Sequence, residues 1–356
     1  MKLRNLHIED YKMFKDFDIS FVDENDKPLP IVVLAGVNGS GKTSLLEYIY
    51  KTFEYDFMEL KGSIRLDTSD LGDDSLPHKF EIKGHSSKTL LSKYEPDTAI
   101  GKASLLFDSI IYFPAGIDDI NNIADEYVKT FYYFLKNKDY RPSEVREHFD
   151  RYMKDFFDGF DLGFKYDNLD KDDNVWFIND MGIELEIKDL SLGEKTLLSK
   201  VLYIYFKEYK NKTILIDEPE LSLHPSWQNK IFKFYENFAR INNNQIIIAT
   251  HSPNIIASAK NEYLRILRKN EEGNVEVVSG LKAHGRDINS ILFDVMGEVA
   301  YRPREFDDKI DRLFYEIDER NLEEAKQLLA ELKKSYGEKD TTIMEATMLI
   351  EMFDKE

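Results

Sequence analysis

The segment that most constrains the fold of this chain runs from Ile31 to Ser44 and reads IVVLAGVNGSGKTS. Its first five residues are apolar, which predicts a strand buried on both faces in the middle of a parallel sheet. The pattern Gly-x-x-x-x-Gly-Lys-Thr follows, and residues 43–50 continue at helical spacing. In such a loop, successive backbone N–H groups point at phosphate oxygens beside a helix N-terminus that favours an anion. The segment therefore predicts a binding site for nucleotide phosphates.

The Lys42 ammonium would contact the β- and γ-phosphates during their cleavage, so Lys42 is also predicted to be catalytic. The Thr43 hydroxyl would bind Mg²⁺. ATP and Mg²⁺ are therefore the predicted ligands. The residues predicted to contact the nucleotide here are Gly36, Asn38, Gly39, Ser40, Gly41, Lys42, Thr43 and Ser44.

Two carboxylates follow a second β-favouring run, Thr-Ile-Leu-Ile at 213–216. A buried parallel strand there would deliver Asp217 and Glu218 to the carboxyl edge of the sheet, where ligands bind in open α/β folds. Asp217 is predicted to hold Mg²⁺, directly or through water. Glu218 is predicted to act as general base on, or to orient, the water that attacks the γ-phosphate. The alternative is that both acids cap the following helix.

A third motif, Leu-Ser-Leu-Gly-Glu-Lys, occupies residues 190–195. Ser191 is a good N-cap, and Gly193 permits a bulky group to approach the first helical turn closely. Together with Glu194, these residues predict a second helix N-terminus that binds a phosphate. On its own, the pattern is equally typical of ordinary helix capping.

The composition limits the class of protein and its partners. The 356 residues suffice for one large α/β domain with insertions or for two domains, and 42% hydrophobic residues provide a sizeable core. The net charge of −19 repels a phosphate backbone, so we expect nucleic acid to be bound through a partner or a small basic patch. Cysteine is absent, which excludes disulfides. With neither a signal-peptide pattern nor an apolar run long enough to cross a bilayer, we expect a cytoplasmic protein without membrane contact.

Apolar periodicity predicts the remaining elements. Expected strands cover residues 3–8, 17–21, 63–66, 80–82, 109–114, 184–187, 245–250, 263–268 and 275–278. Expected helices cover residues 117–135, 143–157, 191–209, 225–241, 307–318, 321–336 and 341–353. Asn321 and Glu324 are placed to form a capping box at one of these helices.

The order of the three motifs, together with Glu-Pro-Glu-Leu-Ser-Leu-His-Pro at 218–225 and Ala-Thr-His-Ser-Pro at 249–253, resembles the ABC/SMC-type AAA ATPases. The resemblance covers most of residues 1–270. It implies a homodimer or higher oligomer in which ATP lies between the phosphate loop of one copy and Ser191 and Gly193 of another. It also implies that the contact loop, residues 221–224, touches the second copy. His251 would be the switch histidine that contacts the γ-phosphate, although a lone histidine after a strand is more often structural.

One departure from the family concerns the glutamine that helps to hold Mg²⁺ and water. No glutamine occurs between Lys42 and Ser191. We expect either a carboxylate or hydroxyl within residues 108–119 to replace it, or slow turnover. Tyr11 and Phe14 either stack on adenine or pack under the sheet.

Residues 283–292, AHGRDINSIL, and 323–332, EEAKQLLAEL, resemble anti-phage defence ATPases, notably the ATPase subunit of Septu and retron-associated ATPases. This resemblance implies a separate HNH-type nuclease as partner, and a regulatory ATPase. The alternative is an ordinary loop followed by surface helices.

We therefore predict an α/β P-loop NTPase with an ABC-ATPase-like sheet, an antiparallel N-terminal β subdomain, an inserted short helical lobe and a C-terminal helical tail. The predicted boundaries are 1–116 and 181–280 for the two parts of the ATPase head, 117–180 for the helical lobe, and 281–356 for a region of oligomer or partner contacts. A DNA repair or recombination ATPase that binds DNA directly is the main alternative function. A transporter ATPase is disfavoured because the missing glutamine communicates with the membrane domain in that class.

Overall fold

The structure is a computed structural model. It describes residues 1–53, 61–71, 79–83, 108–115, 128–129, 131–133, 135–136, 141–158, 163–172, 174–206, 209–278, 281–297 and 304–354. The strands are β1 (Lys2–Tyr11), β2 (Phe14–Ser20), β3 (Ile31–Ala35), β4 (Gly62–Asp67), β5 (Lys79–Lys83), β6 (Ile110–Phe113), β7 (Phe164–Leu169), β8 (Val175–Asn179), β9 (Glu184–Glu186), β10 (Thr213–Asp217), β11 (Gln245–Thr250), β12 (Leu264–Lys269) and β13 (Val275–Val278). The helices are α1 (Lys42–Thr52), α2 (Pro142–Asp158), α3 (Leu192–Phe206), α4 (Pro225–Ile241), α5 (Pro253–Ser258), α6 (Arg304–Asp318), α7 (Leu322–Tyr336) and α8 (Thr341–Phe353). The described residues between 128 and 136 are helical, and the rest of predicted helix 117–135 lies outside the described residues.

A six-stranded sheet forms the centre of the first unit, in the order β13-β12-β3-β11-β10-β6. Five neighbouring strands run parallel, and β13 joins the edge antiparallel to β12. Every residue of β3, β10 and β11 is buried, as expected for central parallel strands. The β-favouring runs at 31–35 and 213–216 therefore lie where the sequence places them. The carboxyl ends of β3, β10 and β11 meet at one edge of this sheet.

A second sheet confirms the predicted antiparallel N-terminal subdomain. Its order is β2-β1-β4-β5, and all three pairings are antiparallel. Together with the parallel sheet, it gives the P-loop ABC-type ATPase fold that the sequence predicts.

The predicted helical lobe, residues 117–180, also contains strands. It includes α2, but β7 and β8 pair antiparallel and continue into β9 as a three-stranded sheet. Every second side chain at the start of these strands is buried, as expected for strands with one covered face: Phe164 and Tyr166 in β7, and Val175 and Phe177 in β8. Each run is too short to stand out from the polar residues around it, so periodicity over a longer window missed both strands.

The chain divides into compact units at residues 1–298 and 299–356, later than the predicted boundary at 280. The second unit consists of α6, α7 and α8, which share a core of their own that includes Phe306, Leu313, Leu332 and Ile343. Asn321 is the N-cap residue of α7, as the sequence predicts, but the predicted capping box is wrong. Asn321 instead donates to Glu316, and Glu324 accepts from Arg312. No helix among the described residues is both long and apolar enough to span a membrane.

Candidate nucleotide site

The phosphate loop joins β3 to α1, and its glycines are required by shape. A Cβ at Gly36 would lie 2.4 Å from the carbonyl oxygen of Leu267 and 2.7 Å from Ser40 Oγ. Gly41 has a φ of +100°, which disfavours any side chain, and it directly precedes α1. The loop therefore needs glycine at both ends of its pattern, as the sequence predicts.

Lys42 is directed into the loop. Its side chain is almost fully buried, and Nζ donates to the carbonyl oxygens of Gly36 (2.8 Å) and Val37 (3.2 Å). Burial lowers the pKa of Lys42, whereas the carboxylates of Glu218, Asp217 and Glu220 oppose that shift. An ammonium held by loop carbonyls can turn to phosphate oxygens at small cost, because its charge is already desolvated.

Ser40 adds a free donor to the same loop. Its hydroxyl is buried, and Oγ has no hydrogen-bond partner. Buried polar atoms are normally paired, so a lone hydroxyl in a glycine-rich loop suits an anionic ligand that completes its bonding. The loop therefore fits a nucleotide phosphate.

Asp217 ends β10 directly beside the loop. The Thr43 hydroxyl donates to Asp217 Oδ1 at 3.1 Å. Burial raises the pKa of Asp217, and the hydrogen bond from Thr43 and the charge of Lys42 oppose the rise. A hydroxyl and a carboxylate in contact are a suitable oxygen pair for Mg²⁺, so the two predicted metal ligands fit this ion.

Glu218 adopts an uncommon backbone conformation, with a φ of +48°. Its N–H donates to the carbonyl oxygen of Ala249 at 2.8 Å, which fixes it against the end of β11. Its Oε1 lies 3.8 Å from Lys42 Nζ, and burial raises the pKa of its carboxyl. The Glu218 side chain is 12% exposed, and a strained, largely buried acid at a strand end is typical of functional sites. The alternative that Asp217 and Glu218 cap the next helix is wrong, because His224 is the N-cap of α4.

His251 follows β11 and lies beside Glu218. The backbone N–H of His251 donates to Glu218 Oε2 at 3.3 Å. Its Nδ1 lies 2.6 Å from the same oxygen, without the geometry of a hydrogen bond. The imidazole is 39% exposed and is therefore accessible to a ligand. Phosphate loop, Asp217, Glu218 and His251 thus form one cluster, as the sequence predicts.

Glu220 belongs to the cluster, although sequence reasoning assigned it no role. It is buried, its Oε1 accepts bonds from the Thr250 hydroxyl and from the Ser252 N–H, and its Oε2 has no hydrogen-bond partner. Burial, followed by the charge of Glu218, raises the pKa of Glu220 to about 7. The available signal was a second acid two residues after Glu218, which sequence alone does not separate from a surface residue.

The residues of the third motif, 190–195, are here called the signature residues. They contact one another and α4. Ser191 N–H donates to Glu194 Oε2 at 2.7 Å, and Glu194 N–H donates to Ser191 Oγ at 3.3 Å, which is a capping box. The bulky neighbour of Gly193 is Trp227, because a Cβ at Gly193 would lie 2.9 Å from the indole Cζ3. The capping interpretation is therefore confirmed, and a role in phosphate binding stays a prediction.

The structure decides between the two alternatives for Tyr11 and Phe14. Tyr11 and Phe14 are buried, and Tyr11 packs on Tyr48 with ring centroids 4.7 Å apart, so both residues pack under the sheet. Tyr112 of β6 packs on Tyr50, and burial together with the charges of Asp217 and Glu47 raises its pKa. Tyr112 pairs with Leu215, two residues before Asp217, and offers a hydroxyl within the segment expected to replace the missing glutamine. Residues 116–127 of that neighbourhood lie outside the described residues.

Residues 283–292, the first segment that resembles the defence ATPases, begin with a capped turn. Asn261 Oδ1 accepts from the N–H groups of Ala283 and His284, at 2.9 and 3.1 Å. Asp287 caps the next helical turn by accepting from Ser290 N–H at 3.0 Å. These contacts explain the polar residues of the motif locally and leave its family role a prediction.

Comparison with known families decides the class of the protein. A family described as "AAA domain, putative AbiEii toxin, Type IV TA system" matches residues 31–257, and a second AAA domain family matches residues 5–53. The chain belongs to the first of these AAA families. The match begins at β3 and ends just after residues 249–253, which contain His251. It therefore includes every predicted site residue.

The chain is also similar to two curated relatives and, in fold, to a solved structure. The chain is 30% identical over 188 residues to the Escherichia coli protein "Retron Ec83 probable ATPase", a match that covers 48% of this chain and 33% of that one. It is 24% identical over 342 residues to "Septu protein PtuA" of Bacillus thuringiensis, which covers 82% of this chain and 84% of that one. The SMC head domain from Thermotoga maritima shares the fold, with a TM-score of 0.50 at 16% identity, over 79% of this chain and 100% of that one. The chain therefore spans only a third of the length of the E. coli relative that it matches.

Proposed function

We propose that this AAA domain binds ATP with Mg²⁺ and hydrolyses it to ADP and phosphate. The observation that carries the proposal is the cluster at one sheet edge, where Lys42, Thr43, Asp217, Glu218 and His251 converge from distant parts of the sequence. The buried Ser40 hydroxyl without a partner and the glycine-lined loop support an anionic ligand there.

Each residue has a definable task. Lys42 would exchange its loop carbonyls for phosphate oxygens, and Thr43 and Asp217 would hold Mg²⁺, which neutralises charge on the phosphates. Glu218 would accept the proton of the attacking water. The burial that raises its pKa brings this carboxylate closer to the basicity needed near neutral pH. His251 would contact the γ-phosphate while its backbone N–H holds Glu218 in place.

We further propose that two or more copies enclose the nucleotide. Ser191 and Leu192 are exposed at the start of α3, and Leu192 is 65% exposed, so this helix end is accessible to a second copy. ATP between two copies would favour the closed assembly, because a ligand shifts an equilibrium by its differential affinity. Ser191, Gly193 and Glu194 would then contact the nucleotide of the neighbouring copy.

The biological role that we propose is regulation of a partner nuclease, of the HNH type, in anti-phage defence. The names of the Septu and retron relatives support a defence role. A net charge of −19 supports nucleic-acid contact through the partner. An HNH-nuclease gene adjacent to this one would support the assignment.

The test compares Lys42→Ala with Glu218→Gln, using Lys51→Ala in the last turn of α1 as the control. Lys42→Ala should lose ATP binding, measured by calorimetry. Glu218→Gln should keep it and lower kcat by about a hundredfold or more, since general base catalysis contributes about that factor. With ATP, Glu218→Gln should run at the mass of a dimer or larger assembly in light scattering. A monomer mass at saturating ATP would show that the enclosed-nucleotide assembly is wrong.

A DNA repair or recombination ATPase is the second candidate, favoured by the fold shared with an SMC head. DNA binding by the purified chain, measured by fluorescence anisotropy at 50 and 200 mM salt, separates the two. Direct binding through phosphate contacts falls steeply over this range. Tight, salt-sensitive binding without a partner would favour the second candidate.

A further inference from the structure

The first turn of α4 lies between three segments of the proposed site. Trp227 packs against Gly193 at the start of α3. Gln228, the next residue, bonds in two other directions. Its Nε2 donates to the carbonyl oxygen of Leu223 at 3.2 Å, and its Oε1 accepts from Ser252 Oγ at 2.6 Å and from Asn254 Nδ2 at 3.1 Å. One amide thus connects the contact loop 221–224 to the segment that follows His251.

The direction of this amide is fixed by its partners. A carbonyl oxygen only accepts, so the group that faces Leu223 must be the NH₂ group. Asn254 Nδ2 only donates, so the group that faces it must be the oxygen. Glutamine therefore uses both of its functions, which neither a carboxylate nor an aliphatic side chain of similar size could do.

Beyond Gln228, the network continues to the catalytic cluster. The Ser252 N–H donates to Glu220 Oε1 at 3.1 Å, and the N–H of the preceding His251 donates to Glu218 Oε2 at 3.3 Å. Moving Ser252 would therefore move His251 relative to Glu218. The His251 carbonyl and the Ser252 N–H belong to one planar peptide unit, so a shift of the Ser252 N–H displaces the backbone of His251.

The contact loop is held from its other end by α3. Lys200 Nζ donates to the carbonyl oxygens of Pro219 (3.1 Å) and Leu221 (2.9 Å). Between these anchors, Ser222 has a φ of +65°, and such a conformation persists only when its surroundings impose it. The contact loop is therefore a constrained segment, with one anchor on α3 and the other on Gln228.

We propose that Gln228 is a positioning residue that couples the contact loop to His251, so that docking of a second copy on the loop sets His251 against Glu218 and accelerates hydrolysis. This inference rests on the proposed function, because it requires ATP hydrolysis and a second copy. It adds an intramolecular connection between the surface that the second copy would touch and the acid that would activate water.

The test uses two substitutions that cut the network differently. Gln228→Glu keeps the acceptor for Ser252 and Asn254 but loses the donor to Leu223. Gln228→Leu loses both. Asn229→Asp is the matched control, because it places the same new charge one residue later and keeps the acceptor that Asn229 Oδ1 offers to Ser258 Oγ. ATPase rate per chain is measured against protein concentration, with ATP affinity and the melting temperature in parallel.

In the wild type, the rate per chain should rise with protein concentration as assemblies form. In Gln228→Glu, ATP affinity and KM should stay within about twofold, while kcat at high protein concentration falls roughly tenfold or more, since small misplacements of catalytic groups cost such factors. Gln228→Leu should fall at least as far, and Asn229→Asp should match the wild type. Each Gln228 variant, combined with Glu218→Gln, should still form assemblies with ATP. Assembly would show that the fall in kcat comes from lost coupling and not from lost docking of the second copy.

The outcomes that overturn the inference are distinct. Wild-type kcat in both Gln228 variants shows that the amide carries no coupling. An equal fall in Asn229→Asp shows an effect of charge alone, and a fall explained by a lower melting temperature and fewer active sites shows a structural role alone. If the wild type neither hydrolyses ATP nor assembles, the proposed function fails and this inference fails with it. Assembly and hydrolysis with unaffected variants overturn only the coupling.

Discussion

At the scale of single residues, burial sets the chemistry of the proposed site. Asp217, Glu218 and Glu220 approach one another at a sheet edge with little solvent, and burial is the first cause of the raised pKa of each. One ammonium, from Lys42, faces all three, and burial lowers its own pKa. The site therefore holds excess negative charge that a magnesium–nucleotide complex would have to balance.

Glu220 makes the stability of the ligand-free protein pH-dependent. Its pKa rises from the ordinary 4.5 to about 7 in the folded state, so the folded protein binds this proton more tightly than the unfolded one. The resulting stabilisation, about 3 kcal/mol, is complete below pH 4.5 and is lost as pH rises through 7. Glu220→Gln should flatten this part of the profile, measured by urea unfolding from pH 5 to 8 without Mg²⁺ or nucleotide. Glu276→Gln, at an exposed residue of β13, is the control, and an unchanged slope in Glu220→Gln would contradict the assignment.

Tyr112→Phe tests which group replaces the missing glutamine. If the Tyr112 hydroxyl orients the attacking water, its loss should lower kcat by about tenfold and raise the Mg²⁺ concentration needed for half-maximal rate. The ring should stay packed on Tyr50, 5.4 Å away, so the melting temperature should change little. Tyr50→Phe provides a comparison that removes the neighbouring hydroxyl. Unaltered Mg²⁺ dependence in Tyr112→Phe would exclude this residue.

At the scale of secondary-structure elements, a close packing contact joins the start of α3 to α4. Gly193 lies in the first turn of α3, where the Trp227 ring of α4 leaves no room for a methyl group. In an open helix, replacing glycine by alanine would be stabilising by roughly 0.5–1 kcal/mol. Here the packing contact opposes that gain.

Gly193→Ala should therefore destabilise the protein by about 1–2 kcal/mol, since overpacking costs that order. It should also weaken ATP-driven assembly, because the first turn of α3 would shift together with the displaced Trp227 indole. Guanidinium unfolding and light scattering measure the two effects. The cost should shrink in Gly193→Ala combined with Trp227→Phe, where the smaller ring makes space. Full additivity of the two substitutions would show that the contact is not the cause.

At the scale of the whole molecule, the division at residue 298 separates the proposed site from α6, α7 and α8. All predicted nucleotide ligands lie in the first unit, and the second unit has a core of its own. The two units therefore have separate sources of stability, since each buries its own apolar surface.

Removal of residues 299–356 should leave ATP affinity within about twofold, because each predicted ligand keeps its contacts within the first unit. We expect it to change the mass of the assembly or its binding to the partner, the role that the sequence suggests for this region. Calorimetry and light scattering check the two parts. Loss of ATP binding by a folded, truncated chain would show that the second unit contributes to the site.

The sequence by itself determined the phosphate loop, the strand ending in Asp217 and Glu218, and the position of His251. Each is specified locally, by glycine conformations, a buried apolar run and the residues that end it. The strands β7 and β8 were not predictable in this way, because their stability comes from pairing rather than from their own pattern. The roles of Glu220 and Gln228 also depended on the tertiary structure. Only the parallel order of β10 and β11 brings two loops from distant positions together, so that a buried acid and one amide can bond between them.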